Sequence, residues 1–404
     1  CFAELGHTVD IVEIDAGKAA AINAGRAPIH ERGLDALLAK HAGVRLRAGT
    51  DYGPVALSDL AFICVGTPPA ADGSADLSMV AAASRSIGEA LREGKSAHTV
   101  VVKSTVPPGT TENLVAPTVG NHSHRADTGF AMNPEFLREG RAVEDFLHPD
   151  RIVIGSRDGR SGDTVAAAYT GVSAPVVRCG LTAAEMIKYA SNALLATKIS
   201  FANEVGNVCK RLGIDVYEVM QGVGMDHRVS PHFLDAGAGF GGSCFPKDVA
   251  ALVSLAEGLG EEPALLRSVL DVNDRQPLRM VRMLEERIGD LAGKRVAVLG
   301  LAFKDNTDDI REARAVPVIA GLLQRGAAVA AYDPLAAASM RRVFPGIDYA
   351  ASAADALRGA DACLVMTEWP EFSTLNGEFD LMNSRIVIEG RRILSCDGKE
   401  GICW

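Results

Sequence analysis

Two stretches decide the fold: Leu60-Ala-Phe-Ile-Cys-Val-Gly-Thr-Pro68 and Thr99-Val-Val-Val-Lys-Ser-Thr-Val-Pro-Pro-Gly109. Each begins as an unbroken apolar run, and a strand that is apolar on both faces has to be covered on both. That is the mark of a buried parallel strand, and each run ends in a loop rich in Pro or Gly. Toward the start of the chain, Thr8 to Ile14 reads as another strand with an acidic end, and Cys1-Phe-Ala-Glu-Leu-Gly6 as a helix end stopped by glycine. The chain therefore opens inside a fold already under way. Strands alternating with helices predict a doubly wound domain, whose ligands sit at the carboxyl ends of its strands. Gly66-Thr67-Pro68 and Ser104 to Gly109 stand at those ends.

In the other direction the period becomes helical from about Thr182, with Ala184, Ile187, Leu194, Leu195 and Ile199 apolar and no strand signal through about Val208. Helical character continues to about Ile288, broken by a glycine-rich loop from Gly237 to Gly242. Strands then return as Arg295-Val-Ala-Val-Leu-Gly300, a helix from about Ala313 to Gln324, and Ala328-Val-Ala-Ala-Tyr332-Asp333. The reading is an α/β chain with two Rossmann-like doubly wound domains, 1-180 and 291-404, joined by a long central helix and a helical region, 181-290. The second α/β unit has Gly300-Leu-Ala-Phe where a dinucleotide fingerprint would stand, so it is expected to bind another ligand or none.

A length of 404 residues fits two or three domains, and 48% apolar with 23% charged residues excludes a disordered or fibrous chain. No run approaches the roughly 18 apolar residues of a membrane span, and no leader-like segment opens the chain, so a cytoplasmic protein with no membrane partner is expected. A formal charge of -10 argues against a nucleic-acid partner and points to small molecules. Eight cysteines without a CxxC pair suggest reduced thiols; no metal is expected.

Four constellations carry chemistry. Glu13, at the acidic end of the first strand, is where a Rossmann fold places the carboxylate for the adenosine ribose. Glu135 and Glu139 in Asn133-Pro-Glu-Phe-Leu-Arg-Glu139 are four apart, one turn if the segment is helical, and could serve as base and electrostatic partner. Lys188 and Asn192 are four apart on the long helix, so an ammonium and an amide share a face suited to an oxyanion. Cys244, in Phe240-Gly-Gly-Ser-Cys-Phe-Pro-Lys-Asp248, follows glycines and begins a predicted helix, whose N-terminus favours a thiolate. Asp248 could orient a water or a lysine.

NPEFLREG (133–140), AEMIKYASNALLATKISFANE (184–204), GMDHRVS (224–230), GFGGSCFPKD (239–248) and GLAFKDNTDDIREA (300–313), in this order, resemble the UDP-glucose/GDP-mannose dehydrogenases over nearly the whole chain. The resemblance implies an NAD-dependent, four-electron oxidation of a nucleotide sugar at C6 through a cysteine thioester. Cys244 resembles the nucleophile, Lys188 and Asn192 the oxyanion pair that also meets substrate, and Asp248 a helper for the catalytic water. Thr105 and Glu135, with Glu139 beside them, match the residues that hold and activate that water. Glu13, Lys18, Thr67, Thr105, Glu139 and Lys247 match cofactor contacts for NAD, and Arg311 matches the arginine that reaches the cofactor from the far domain. Phe136, Leu137, Phe233, Gly241, Lys304 and Arg392 match sugar-nucleotide contacts, and Arg228 a residue lent across a homodimer interface in the helical region. UDP-glucose is the favoured substrate; GDP-mannose, a UDP-N-acetylhexosamine, or a binding-only regulatory role are the alternatives. The strand and glycine loop that precede Glu13 in such a fold would lie before Cys1, so the chain as given is expected to hold UDP-glucose better than NAD. The segment Ser395 to Trp404 departs from the usual family ending.

Overall fold

The computed structural model describes residues 1–94 and 98–404, which divide into two compact units, Cys1–Ser191 and Asn192–Trp404.

In the first unit, β1 (Val9–Val12), α1 (Ala16–Asn23), α2 (Leu34–His41) and β2 (Leu46–Gly49) form a layer in which β1 and β2 pair in parallel. The turns before β1 close as a helix end: the Gly6 and His7 amides donate to the carbonyls of Ala3 and Phe2, with Gly6 at φ 99°. β3 (Leu60–Ile63), α3 (Ser78–Leu91), β4 (Thr99–Val102), α4 (Ala116–Ser123), β5 (Gly129–Met132), α5 (Ala142–Leu147), β6 (Ile152–Ser156), α6 (Gly159–Ala168) and β7 (Val176–Cys179) follow. Their strands make a separate sheet in the order β3-β4-β5-β6-β7. β4 and β5 are buried at every position, as an all-apolar run demands. The sheet is not wholly parallel, since β6 runs antiparallel to β5. Nothing in the apolar pattern of Ile152–Ser156 signals strand direction, which chain connectivity decides. α7 (Leu181–Leu212) is one helix of 32 residues.

In the second unit, α8 (Val216–Gly224), α9 (Phe245–Gly258), α10 (Ala264–Arg275) and α11 (Leu278–Ile288) precede an α/β layer. That layer comprises β8 (Arg295–Leu299), α12 (Ala315–Gln324), β9 (Ala328–Tyr332), α13 (Ala337–Val343), β10 (Asp348–Tyr349), α14 (Ala353–Leu357), β11 (Ala362–Val365), β12 (Val387–Glu389) and β13 (Lys399–Gly401). All six strands are parallel in the order β10-β9-β8-β11-β12-β13, so the order reverses between β8 and β11. In an open α/β sheet the crevice outside that reversal is where a ligand sits. The unusual segment 395–404 is an integral part of the sheet, supplying β13 as its outer strand beside β12.

The β9 carboxylate explains why this unit does not repeat the dinucleotide mode. Asp333 is buried and accepts from the amides of Leu301, Ala302, Leu335 and Ala336 and from the Trp369 indole at 2.7–3.1 Å. It is spent on tying the loop after β8 to β9 and has no lone pair to offer a ribose. Gly300, at φ 91°, packs so tightly on Thr367 that any Cβ would collide with it.

Among the described residues no helix is long and apolar enough to cross a membrane, no two cysteines form a disulfide, and no group of three or more His, Cys, Asp or Glu could hold a metal ion. Asp333→Ala would strand five buried donors and should lower unfolding free energy by on the order of 3 kcal/mol in a guanidinium titration. A loss of a few tenths would mean the carboxylate does not organise this loop.

Candidate active site

In the first unit the segment Asn133–Gly140 is loop, not helix, so Glu135 and Glu139 are not stacked one turn apart as their spacing had suggested. Side chains hold it extended. Buried Asn133 donates to the Val153 carbonyl and accepts from the Tyr169 hydroxyl and Lys103, while Glu31 accepts from the amides of Gly140 and Ala142. Glu135 turns back on itself, Oε2 accepting from the Leu137 amide at 2.6 Å, which leaves Oε1 directed at Lys188 Nζ, 3.0 Å away.

Lys188 is 4% exposed, so its ammonium depends on that carboxylate and on the face of Phe136, whose ring centre lies 5.3 Å from Nζ. The Arg151 guanidinium stands 3.9 Å from the same ring. Glu135, Phe136 and Lys188 thus meet in space although 52 or more positions separate helix from loop. Leu137 is half-buried against the core under β4 and β5, and Glu139 is half-buried.

Thr105 is reached from two sides. The Thr67 hydroxyl donates to its carbonyl at 2.8 Å, joining the loops after β3 and β4. Farther along the same loop, Glu185 of α7, fully buried, accepts from the amides of Gly109 and Thr111 and from the Thr111 hydroxyl at 2.5–2.7 Å. Burial raises the Glu185 carboxyl above its ordinary value, against the opposing pull of these donors. Sequence reasoning passed over Glu185; its place three residues before Lys188, on the same helical face, was the available signal.

The carboxyl end of β1 carries Glu13, half-exposed, one oxygen accepting from the Asp15 amide at 3.1 Å, with Lys18 exposed on α1. A carboxylate at the carboxyl end of a parallel strand, with an ammonium on the following helix, is a donor set that fits the diol and phosphates of a dinucleotide.

In the second unit Cys244 is the N-cap of α9, its carbonyl accepting from the Asp248 amide at 2.9 Å, as the helix-start reading required. The thiol is exposed, with the Ser243 hydroxyl 3.7 Å away, and no side chain caps the helix, so the first-turn amides and the dipole remain available to a thiolate. Asp248 is 1% exposed; one oxygen meets Lys247 Nζ at 2.5 Å and the other accepts from Asn192 Nδ2 at 2.6 Å. Its partners are therefore an amide and the neighbouring lysine.

The glycine loop before Cys244 lies on the carboxyl edge of the six-stranded sheet. The Ala238 amide donates to Gly390, the Gly242 amide to Arg311, and the Arg391 guanidinium to the Gly239 carbonyl. Asn203 and Asn273 clasp Gly237 and Phe240 from the helical side. A Cβ at Gly241 would strike Glu312, and one at Gly242 the Phe303 ring, so only glycine allows this approach.

Lys304 lies over the Phe303 ring, its Nζ 5.8 Å from the centre, and Arg311 pairs with Asp309 at 2.6 Å. Arg392 is exposed, pairs with Asp215 at 3.0 Å and lies 4.5 Å over the Tyr217 ring. Phe233, in the left-handed region at φ 63°, meets the Phe245 ring edge-on. Arg228 is exposed and paired with Asp226, remote in its contacts from the residues above.

Two α/β layers, a carboxylate at the end of β1, a buried Lys–Glu pair and an exposed thiol at a helix start fit an NAD-dependent dehydrogenase. Residues 1–173, 182–275 and 297–396 match the NAD binding, central and UDP binding domains of the UDP-glucose/GDP-mannose dehydrogenase family. The chain belongs to that family. It is 52% identical over 403 residues to UDP-glucose 6-dehydrogenase AglM of Haloferax volcanii, covering 98% of this chain and 94% of that protein. The solved UDP-glucose dehydrogenase of Pyrobaculum islandicum superposes with a TM-score of 0.95 at 45% identity, covering 100% of this chain and 94% of that one. A UDP-D-ManNAc dehydrogenase from Pyrococcus horikoshii gives 0.88 at 28% identity, covering 99% and 94%.

Because the folded Glu185 carboxyl is raised, the folded chain holds a proton that the unfolded chain releases. The contribution of Glu185 to stability should therefore grow as pH falls toward its ordinary value and be lost as pH rises. The stability of the wild type relative to Glu185→Gln should increase from pH 7 to pH 5 in paired unfolding titrations; a decrease would reverse the assignment.

Proposed function

We propose that this chain oxidises the C6 alcohol of UDP-glucose to the carboxylate of UDP-glucuronate with NAD, using Cys244 as a covalent anchor. The observation that carries the reading is the thiol at the start of α9, on a glycine loop pinned to the carboxyl edge of the six-stranded sheet. The 52% identity to a UDP-glucose 6-dehydrogenase supports the choice of sugar.

Glu13 and Lys18 would hold the adenosine end of NAD, the linked loops of Thr67 and Thr105 its reactive end, and Glu139, Lys247 and Arg311 would add contacts. Two molecules of NAD, bound in succession, would supply the two hydride acceptances, one from the C6 alcohol and one from the thiohemiacetal. Lys188, as an ammonium, stabilises the alkoxide as the hydroxyl proton departs to water, and a preorganised donor of this kind contributes about 3 kcal/mol. The Cys244 sulfur then attacks the aldehyde carbon, so the intermediate cannot escape. Asn192, oriented by Asp248, donates with Lys188 to the oxyanion of each tetrahedral state. Water held by Thr105 and Glu135 adds to the thioester, the C–S bond breaks, and the thiol is regenerated with release of the acid.

Phe136, Leu137, Phe233, Gly241, Lys304 and Arg392 are the contacts we assign to the sugar nucleotide. A catalytic thiol must stay reduced, which suits the cytoplasm. The partner is a second copy of the chain: Leu194, Phe201 and Val208, seven residues apart on one face of α7, are 63%, 51% and 57% exposed, and exposed Arg228 is the residue that would reach the neighbouring site.

Turnover of UDP-glucose should yield two NADH per sugar and exceed that of GDP-mannose or a UDP-N-acetylhexosamine; a preference for either would overturn the substrate assignment. Cys244→Ala should form no UDP-glucuronate yet bind UDP-glucose with nearly unchanged affinity by calorimetry, and normal acid formation would remove the covalent stage. Phe201→Glu should shift the light-scattering mass to that of a monomer; an unshifted mass would place the interface elsewhere.

A further inference from the structure

We propose that Glu389 and Trp404 form a brace that positions Arg391, Arg392 and the Cys244 loop for the nucleotide diphosphate. The inference rests on reading the six-stranded unit as the sugar-nucleotide domain. Glu389, the last residue of β12, is fully buried. A buried carboxylate has to collect donors, and this one collects them from two separate segments. Oε2 accepts from the Ile393 and Leu394 amides at 3.2 and 3.0 Å, bending residues 390–394 into an arch over the strand end. Oε1 accepts from the Trp404 indole at 3.1 Å.

The arch carries the groups that matter. The Gly390 carbonyl accepts from the Ala238 amide at 2.9 Å, Arg391 donates to the Gly239 carbonyl at 2.6 Å, and Cys244 stands five residues beyond. Trp404 holds the other side. Its ring meets Tyr217 edge-on at 5.2 Å, Arg392 lies 4.5 Å over that same tyrosine, and the Tyr217 hydroxyl donates to the Ala236 carbonyl at 2.8 Å. Lys210 fixes the Trp404 carbonyl at 2.8 Å, and Gly401 lacks the Cβ that would strike the folded-back indole. Glu389 and Trp404 together thus fix the 236–239 part of the loop that leads to Cys244, and both arginines. Neither needs to touch ligand; both are positioning residues.

The test uses the full chain with Trp404→Phe, which keeps an aromatic ring but removes the indole N–H, and Glu389→Gln, which sets an amide N–H against the brace donors. KM for UDP-glucose should rise about fivefold in Trp404→Phe, the loss typical of one hydrogen bond, and more in Glu389→Gln. KM for NAD should stay at the wild-type value. Without substrate, iodoacetamide labelling of Cys244, followed on its peptide by mass spectrometry, should change severalfold in the same order. Unchanged KM for UDP-glucose with unchanged labelling would overturn the brace, as would a fall in kcat alone with both KM values intact, the signature of a smaller folded fraction. Should Glu389→Gln not fold, Trp404→Phe decides by itself. If the wild type oxidises no UDP-glucose, the functional reading fails, and the labelling rates still judge the brace.

Discussion

A carboxylate taken out of water must be surrounded by donors, and in this chain those donors are loop amides, side-chain N–H groups and one hydroxyl. Glu185, Asp248, Asp333 and Glu389 are each less than 5% exposed. Each accepts from groups that would otherwise be the mobile parts of a nucleotide-binding fold: the loop after β4, the first turn of α9 with Asn192, the loop after β8, and the arch after β12. The desolvation penalty makes these placements all-or-none, since a buried charge with half its donors missing is worse than none. Rigid loops at strand ends are what hydride transfer and covalent capture require, because effective concentration depends on geometry held before the substrate arrives.

The same constraint separates the two α/β layers by function. At the end of β1 the carboxylate of Glu13 remains half-exposed with only a local amide as partner, and so can accept from a ribose. At the equivalent end of β9, Asp333 is consumed by five donors from its own unit. One strand-loop grammar thus leaves the strand-end carboxylate open to a ligand in one layer and consumes it internally in the other.

Lys188 shows what burial does for a cation. At 4% exposure it has one carboxylate at 3.0 Å and an aromatic face, and the carboxylate is itself held by the Leu137 amide. Removing Glu135 would leave an ammonium in an apolar setting, whereas removing Lys188 would leave Glu135 at the surface of a loop. The pair is therefore asymmetric: the buried lysine needs the carboxylate more than the carboxylate needs the lysine.

What the sequence determined by itself was whatever depends on local pattern. Unbroken apolar runs marked the strands at 60–63 and 99–102, of which the second is buried at every position and the first only at alternate ones, the 3.6-residue period marked α7, and glycines followed by cysteine and proline marked the start of α9. The four-residue spacing of Lys188 and Asn192 was legible because helix geometry is fixed. What only the tertiary structure decided was partnership. The Glu135–Glu139 spacing misled because Asn133 and Glu31, acting from other elements, hold that segment out of a helix. The direction of β6 and the placing of segment 395–404 as β13 follow from chain connectivity, which apolar pattern does not encode. Glu185 and Glu389 were passed over in the sequence, because a carboxylate there is by default taken as solvated. Only the donors brought to them by folding reveal that they are buried, and only burial makes them organise the loops around the chemistry.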